Sequence, residues 1–201
     1  IGKLRNLTFG HGQLLHRYSN SYNYPIMQRT GLQFHLSPQN KQSYSVDFFI
    51  SDIAQLFNGG GFVGFHSSLF LSKFFPLKVG FGYLYDLDQY SNLESNLSIK
   101  SNIEAREIDL EFFLVDNNDY KINLFSELDG IFFPYSLNYY RYDDNASNSL
   151  KTRNGTWGST FGGKLILDNG HKFLFGLHYN DALYTPYYFS STYDFDKVKT
   201  L

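Results

Sequence analysis

The sequence predicts an all-β fold: an antiparallel up-and-down transmembrane β-barrel of eight to ten strands, either complete or as part of a larger barrel. Two observations predict it. Apolar and polar residues alternate over segments of about ten residues, the length that crosses a bilayer as a tilted strand. Short and long connections also alternate along the chain, as in barrels that have short turns at one end and long loops at the other.

The segment 108–130 shows the alternation most completely. One face of its first arm carries Ile108, Leu110, Phe112 and Leu114, and the other carries Asp109, Glu111, Phe113 and Val115. After a turn at 116–119, Tyr120 begins a second arm with the same period. Charges in the middle of one face are costly in a packed core unless they have partners. We therefore expect the apolar face to meet lipid and the charged face to line the barrel interior.

The other strands follow the same pattern. They are predicted at 31–36, 44–51, 62–72, 77–86, 157–167 and 171–181, with 4–18 and 187–198 as candidates for two more. Short turns are predicted near 37–42, 73–76, 116–119 and 168–170, and long connections near 19–30, 52–60, 87–106 and 131–154. We treat 1–201 as a single β-barrel domain in which 1–30 forms either a first strand or a segment lying in the lumen.

Composition agrees with a membrane barrel and excludes other classes. Aromatic residues make up 19% of the 201 residues, which suits aromatic girdles at the two membrane interfaces. The predicted girdle residues are Tyr44, Phe74, Phe75, Tyr83, Tyr85, Tyr120, Trp157 and Tyr179. A net charge of -2 leaves no basic footprint, so no nucleic-acid partner is expected. With no cysteine, neither a disulfide framework nor a thiolate metal site is expected.

The polar faces of the strands predict a network in the lumen. Its members are Asp47, His66, Lys78, Asp109, Glu111, Lys121, Glu127, Lys164 and His178, with Asp86 and Asp129 on the same faces. Such a network is either a packed interior of paired charges and tyrosines or a narrow path or pocket for a small solute. Eight to ten strands leave no room for a wide pore. The pair Asp109 and Glu111 also suits acid–base chemistry or a hard cation, but pairing with Lys121 or Lys164 is the favoured interpretation.

No catalytic, cofactor-binding or metal residue is predicted, and no cofactor. The six histidines lack the spacings of zinc sites. His11, His16 and Ser19 suggest a hydrolase only weakly, because the chain has no Gly-x-Ser-x-Gly elbow. Gly59-Gly60-Gly61 lacks the ending of a phosphate-binding loop and is interpreted as a junction between loop and strand.

Two short motifs add a resemblance. Leu7-Thr8-Phe9-Gly10-His11-Gly12, followed by Arg17-Tyr18-Ser19-Asn20, is similar to the start of uncharacterised barrel domains in large Gram-negative surface proteins, and the whole chain resembles bacterial outer-membrane β-barrel proteins. The resemblance implies a location in the cell outer membrane and contact with its lipid. It carries no active site that can be transferred to this chain.

The first functional hypothesis is an outer-membrane barrel, not an enzyme, that serves as a structural scaffold, a narrow channel or a surface-binding protein. Its long loops would contact a small solute, an extracellular ligand or other subunits of a membrane complex. The alternatives are a barrel-shaped lipid-modifying enzyme of the outer membrane and a soluble lipocalin-like carrier of an apolar ligand. The two hypotheses differ in where they place four apolar side chains, Phe81, Phe112, Leu124 and Phe175. In a carrier these side chains would line the inside of the barrel, and in a membrane barrel they would lie on its outside.

Overall fold

Antiparallel β-sheet accounts for most of the computed structural model, which describes residues 2–21, 29–38, 44–71, 75–89, 101–117, 119–141, 149–191 and 193. The elements in chain order are β1 (Leu15–His16), β2 (Leu32–Leu36), β3 (Tyr44–Ile50), α1 (Ile53–Phe57), β4 (Phe62–Phe70), β5 (Leu77–Asp86), β6 (Ile103–Asp116), β7 (Tyr120–Arg141), β8 (Ser149–Leu167), β9 (Lys172–Asn180) and β10 (Phe189–Ser190). Strands β2 to β9 form one eight-stranded sheet in sequence order, each antiparallel to the next. The all-β, antiparallel prediction is therefore confirmed.

The period-two pattern located β3, β4, β5 and β9 to within two residues at each end, and β5 spans 77–86 as predicted. Three strands are longer than predicted, because β6 begins at Ile103, β7 continues to Arg141 and β8 begins at Ser149. The connections predicted at 87–106 and 131–154 are correspondingly shorter, and 90–100 and 142–148 lie outside the described residues. Backbone pairing continues at 104–106, 131–132, 137–141, 149–153 and 155–156, although the simple alternation does not.

Among the described residues, neither terminal segment adds a strand to the main sheet. Of the N-terminal segment only β1 is a strand, and it pairs in parallel with the two-residue β10 as a separate small sheet. The predicted connection at 52–60 contains the helix α1, whose first turn is capped by Asp52 through a 3.1 Å hydrogen bond from the backbone amide of Ala54. Of the candidate strand 187–198, residues 192 and 194–198 lie outside the described residues.

The register of the sheet sorts side chains into rows that alternate between its two faces. One outer row contains Leu36, Val46, Ser67, Phe81, Ile108, Leu128, Ser159 and Tyr179. Two inner rows lie on either side of it. The first contains Asp47, His66, Gly82, Glu107, Asp129, Gly158 and Asn180. The second contains Ser45, Ser68, Gly80, Asp109, Glu127, Thr160 and His178. One face is thus apolar or weakly polar, and the other carries the charges.

Burial identifies the apolar face as the outer one. Ile108 is 50% exposed, whereas its neighbours Glu107 and Asp109 are 0% and 3% exposed. Phe81 and Phe175 are also exposed, and the register places Phe112 and Leu124 on the same outer face.

The sheet is strongly curved around the N-terminal segment. A single turn at Phe9–Gly12 and the adjacent Gln13 contact Phe49 of β3 at one side and Asn180 of β9 at the other. In a flat sheet β3 and β9 would lie about 29 Å apart, since adjacent strands are about 4.8 Å apart. The concave face therefore wraps around this segment, and β2 and β9 are the two edges of the sheet within the described residues.

An apolar cluster fills the concave side at the end of the sheet that carries α1. It is built from both terminal segments and the sheet, and its members include Leu4, Leu7, Leu14, Leu15, Tyr18, Phe62, Leu84, Ile103, Ala105, Ile131, Phe189 and Tyr193. The rings of Phe62 and Phe189 stack at 4.7 Å. The N-terminal segment thus lies in the interior, which is one of the two arrangements that the sequence left open.

Replacing Gly80 by alanine should destabilise the protein. A Cβ at Gly80 would overlap the carboxylate of Asp109, whereas a Cβ at Gly176 would make an ordinary 3.5 Å contact with Thr160 Cγ2. Overpacking of this kind typically costs about 1–3 kcal/mol. We expect Gly80→Ala to lower the free energy of unfolding in urea by that amount and Gly176→Ala to leave it nearly unchanged. Equal effects of the two substitutions would contradict the packing described for Asp109.

Candidate functional site

The centre of the interior is occupied by a tight turn of the N-terminal segment. The turn is closed by a 2.8 Å hydrogen bond from the Gly12 amide to the Phe9 carbonyl, and Gly10 and Gly12 have φ angles of 48° and 88°. These are left-handed conformations that glycine adopts without strain. A Cβ at Gly10 would in addition overlap Glu107 Oε1. Glycine is therefore required at this position both for backbone conformation and for close approach to the wall.

Glu127 on β7 binds the turn through backbone amides. Its Oε2 accepts a 2.6 Å hydrogen bond from the His11 amide, and its Oε1 accepts a 2.8 Å bond from the Gln13 amide. Because the acceptor is a carboxylate, these bonds are stronger than bonds between neutral groups. Glu127 is 0% exposed, so the turn supplies the hydrogen bonds that this buried carboxylate needs.

Side chains of the turn region extend the attachment to the neighbouring strands. Gln13 Nε2 donates to Asn180 Oδ1 at 3.3 Å, and Thr160 Oγ1 donates to Gln13 Oε1. Thr160 Oγ1 also lies 2.8 Å from His178 Nδ1. Through these contacts the predicted lumen residue His178 takes part in holding the segment against β8 and β9.

Aromatic contacts fasten the turn to the opposite side of the sheet. The ring of Phe9 stacks on His66 with a centroid separation of 5.2 Å and meets the edge of Phe49 at 5.7 Å. The ring of His11 stacks on Phe125 at 4.2 Å. Polar contacts thus hold the turn to β7, β8 and β9, and ring contacts hold it to β3, β4 and β7. Together they position the turn over the middle of the concave face.

Four carboxylates lie beneath the turn on two adjacent strands. Glu107 faces Asp129 across the β6–β7 ladder, and Asp109 faces Glu127. None of the four is more than 3% exposed. We refer to Glu107, Asp109, Glu127 and Asp129 as the carboxylate cluster.

The cluster is only partly satisfied by hydrogen bonds. His66 Nε2 lies 2.9 Å from Asp109 Oδ2 and 3.6 Å from Glu107 Oε1. Neither oxygen of Glu107 makes a hydrogen bond. Within the described part of the chain, no lysine or arginine forms an ion pair with any of the four carboxylates. The cluster therefore concentrates negative charge in a buried place, which is costly unless something offsets it.

Two titratable groups on the interior segments add no positive charge to the cluster. Burial lowers the pKa of His11, and this outweighs the opposing effect of the carboxylates of Glu111 and Asp109. Burial raises the pKa of Tyr184, with a further contribution from the carboxylates of Asp129 and Glu127. His11 and Tyr184 are both expected to be uncharged near neutral pH.

The remaining predicted lumen residues also lie on the concave face. Asn123 Nδ2 donates to Glu111 Oε1 at 2.8 Å, and Lys164 Nζ lies 3.3 Å from the same oxygen, as the sequence favoured for Glu111. The favoured pairing of Asp109 with a lysine is not what the structure shows, because Asp109 contacts His66. Lys121 instead pairs with Asp116 at 2.6 Å, beside the turn that joins β6 and β7.

A cavity of about 390 Å³, lined by polar residues and by Tyr44, Phe70 and Phe113, opens on the other side of the cluster, toward the short turns; we call it the polar cavity for its charged side chains. Lys78, another predicted lumen residue, lines it together with Ser45, Ser68, Asp116 and Lys121. Along its axis the interior therefore has three zones. An apolar cluster lies at the end with α1, the carboxylate cluster with its covering turn lies in the middle, and the polar cavity lies at the end with short turns.

Asp47 lies apart from the cluster, at the edge of the sheet. His35 Nδ1 on β2 is 2.6 Å from Asp47 Oδ1, and His35 Nε2 is 3.1 Å from Ser37 Oγ. A lipid-modifying enzyme would need a histidine next to a serine or a carboxylate, and this group meets that condition, as does the buried pair of His66 and Asp109. The His35 side chain is 52% exposed, however, whereas nucleophilic catalysis depends on a water-excluding site with preorganised donors. We interpret these contacts as fastening the edge strand β2 to β3.

Sequence reasoning missed Glu107 and the part played by residues 9–13. Glu107 was missed because the strand was predicted to begin at Ile108, the residue after it, whereas β6 begins at Ile103. Residues 9–13 give no periodic signal, although the glycines at positions 10 and 12 mark a turn.

No protein-family model, curated protein or solved structure matches the chain. Among the described residues, no helix is long and apolar enough to cross a membrane. The functional conclusion below therefore rests on the geometry of the chain itself.

Replacing Glu127 by glutamine should loosen the turn. Hydrogen bonds to a charged group are worth about 1 kcal/mol more than bonds to a neutral one, and two amides lose the charged acceptor. We expect hydrogen exchange of the His11 and Gln13 amides to accelerate roughly tenfold or more. The control is Glu104→Gln, which removes a carboxylate from the outer face of β6. Unchanged exchange in Glu127→Gln would show that Glu127 does not hold the turn.

Proposed function

We propose that this chain is an outer-membrane β-barrel, or part of the wall of a larger one, that serves as a structural scaffold and surface-binding protein. Its interior is filled by its own N-terminal segment. The observation that carries the proposal is a reversal of polarity along β6.

The reversal occurs between Arg106 and Glu107. Before it, Ile103 and Ala105 point inward and are 0% exposed, while Glu104 and Arg106 point outward and pair at 2.6 Å. After it, the inward positions carry carboxylates and the outward positions carry leucine, isoleucine and phenylalanine. The first part obeys the ordinary rule for a protein in water, and the second obeys the rule for a barrel wall in lipid.

The apolar outer zone has the width that a bilayer requires. On β6 it extends from Arg106 to Asp116, ten residues or about 33 Å along the strand at about 3.3 Å per residue. At the tilt that is usual in barrels, this corresponds to about 25 Å across the membrane, which matches the apolar band of such proteins. A bulge between Phe113 and Val115 keeps the zone apolar up to its end, because it places Val115 opposite Ile122.

Aromatic residues lie at the boundary where the polarity reverses. The rings of Tyr83 and Tyr85 stack at 6.5 Å, and Trp157 contacts Tyr179 at 5.5 Å. The guanidinium of Arg106 lies 5.1 Å from the ring centre of Phe132. Tyrosine, tryptophan and arginine prefer the membrane interface. Four of the eight predicted girdle residues are in this group, and Phe74 lies outside the described residues.

The filled interior favours a scaffold over a channel. Residues 9–13 cross the middle of the concave face and bind β7, β8 and β9, so they obstruct any axial path. The lipocalin-like alternative requires an apolar lining, but the middle of the interior carries the carboxylate cluster. Phe81 and Phe175 lie outside, 44% and 68% exposed.

A projecting hairpin offers a surface for binding. After an irregularity between Phe132 and Leu137, which contains Pro134, β7 and β8 pair again from Leu137–Arg153 to Arg141–Ser149. Nine residues beyond Phe132 correspond to about 30 Å of strand. This part of the hairpin lies beyond the apolar zone, at the end with α1. It is rich in tyrosine and asparagine, residue types that suit contacts with a partner.

The single tryptophan of the chain provides a test of the membrane location. Trp157 lies on the outer face and is 43% exposed. In liposomes of outer-membrane lipid composition, we expect a blue-shifted emission that lipids with bromine near the headgroup quench. The double variant Trp157→Phe/Phe161→Trp moves the reporter about 13 Å along the same face. Its strongest quenching should shift to lipids with bromine deeper in the acyl chains. Emission independent of bromine position in both proteins would reject the membrane proposal.

Conductance separates the scaffold from the narrow channel. Reconstituted into a planar bilayer, the protein should give no stable current above that of the bare bilayer, because residues 9–13 fill the middle of the interior. A porin reconstituted in the same membrane confirms that the assay detects pores. Reproducible single-channel steps from this protein would show that a continuous path exists and would favour the channel.

A further inference from the structure

Glu107 is, with Asp129, one of two carboxylates among the described residues that are buried and have no hydrogen bond at either oxygen. Its side chain is 0% exposed, and neither of its oxygens has a hydrogen-bond partner. The carboxylate points toward the turn, since a Cβ at Gly10 would overlap Oε1. A buried carboxylate without a hydrogen bond needs a compensating charge or must be neutral. This buried group, which makes no hydrogen bond and lies 3.6 Å from His66 Nε2, is the observation that suggests a ligand within the carboxylate cluster.

The geometry around Glu107 suits one shared cation. One ligand oxygen from each of Glu107, Glu127 and Asp129 lies within 4.8 Å of the other two. Two oxygens that bind the same Ca²⁺ at about 2.4 Å are at most about 4.8 Å apart. The three carboxylates come from adjacent strands that the ladder holds in register, so the arrangement does not depend on a loop.

Within the described part of the chain, no lysine or arginine forms an ion pair with these three carboxylates. The titratable groups beside them are His66 on β4, Asp109 on β6, and His11 and Tyr184 from the interior segments. His66 binds Asp109 at 2.9 Å, and His11 contributes its backbone amide rather than its ring. Lys164 is engaged by Glu111, and Lys121 by Asp116. Three carboxylates therefore share one buried place without a lysine or arginine partner among the described residues.

We propose that Glu107, Glu127 and Asp129 bind a calcium ion beneath the N-terminal turn. The donors are all carboxylate oxygens, which are the ligands that hard cations prefer. Calcium accepts six to eight oxygens in flexible geometry, whereas zinc favours four ligands with nitrogen or sulfur. Water fills the remaining coordination positions.

The ion would connect the turn to the wall. Glu127 then binds the amides of His11 and Gln13 and the ion at the same time, and Glu107 reaches the ion directly under Gly10. Removing the ion leaves mutual repulsion among the carboxylates below the turn. Calcium is therefore expected to stabilise the packing of residues 9–13 against the sheet as well as the fold as a whole.

The direct test uses the full chain in detergent micelles, stripped with EDTA and dialysed. Elemental analysis after equilibration with calcium should give one tightly held ion per chain, and isothermal titration should give a single saturable site. Calcium should also raise the melting temperature and slow the hydrogen exchange of the His11 and Gln13 amides. Absence of bound calcium together with an unchanged melting temperature would overturn the proposal.

Isosteric variants distinguish a metal site from a purely structural cluster. Glu107→Gln keeps the shape and removes one charge. We expect it to weaken calcium binding by at least the roughly 10- to 100-fold seen for losses near metal ligands. In EDTA the same variant should melt at a higher temperature than the wild type, because it relieves repulsion, and in saturating calcium at a lower one. This change of sign is not expected of a residue with only a packing role.

Two controls have matched chemistry. Glu104→Gln removes an outward carboxylate of the same strand, and Glu111→Gln removes an inward one that is paired with Lys164. Both should bind calcium like the wild type. If all three variants weakened calcium binding equally, the loss would follow from the lower negative charge of the protein and not from the loss of a ligand. That result would overturn the assignment of ligands. Preference for zinc with loss of binding in His66→Ala would likewise reject an all-oxygen site.

Discussion

The burial of charge on the inner wall is the constraint on which the rest of the structure depends. An apolar exterior leaves β6 and β7 no place for Glu107, Asp109, Glu127 and Asp129 except the interior. A buried carboxylate is tolerated only when donors or cations surround it. The N-terminal turn provides such donors to Glu127 through two backbone amides. The segment that fills the interior is therefore part of what makes the wall stable.

The wall accommodates this crowded interior with residues that lack side chains. Gly80 and Gly82 on β5 lie opposite Asp109 and Glu107 in the register, and a Cβ at either would meet the carboxylate-bearing side chain opposite it at 3.1 Å or closer. Gly158 on β8 makes the same kind of space for Tyr184 and Gln13. Small residues on β5 and β8 thus flank the large acidic ones on β6 and β7. The inner rows of the register are complementary in size as well as in polarity.

Periodicity predicted the strands and their faces because a sheet repeats every two residues. Leu77 to Asp86 alternates without a break, and its strand has the predicted bounds. The pattern failed where polarity reverses. Ile103 and Ala105 are apolar on the inner face, and Glu107 is charged on that same face. A rule that assigns one polarity to each face therefore starts the strand at Ile108 and leaves Glu107 out.

The position of the N-terminal segment could not be read from the sequence for a different reason. Leu4, Leu7, Leu14 and Leu15 have a helical spacing, but Phe9 and the glycines at positions 10 and 12 interrupt it. These residues therefore indicate burial without indicating an element or a partner. The polar contacts that place the turn join residues more than one hundred positions apart, such as His11 and Glu127. Every backbone N–H group can donate a hydrogen bond and every acidic side chain can accept one. The sequence alone therefore does not show which acidic residue binds the His11 amide.

The polarity of the N-terminal segment matches that of the wall at two heights, and this match fixes its position. Leu14 and Leu15 lie in the apolar cluster, with Ile103 and Ala105 of the wall. The amides of His11 and Gln13 lie against the carboxylate cluster. Sliding the segment by two residues toward the short turns would bring the leucines among the carboxylates and move the turn that presents the His11 and Gln13 amides away from Glu127. The segment therefore has one favourable register in the interior, set by the same reversal of polarity that marks the edge of the apolar zone outside.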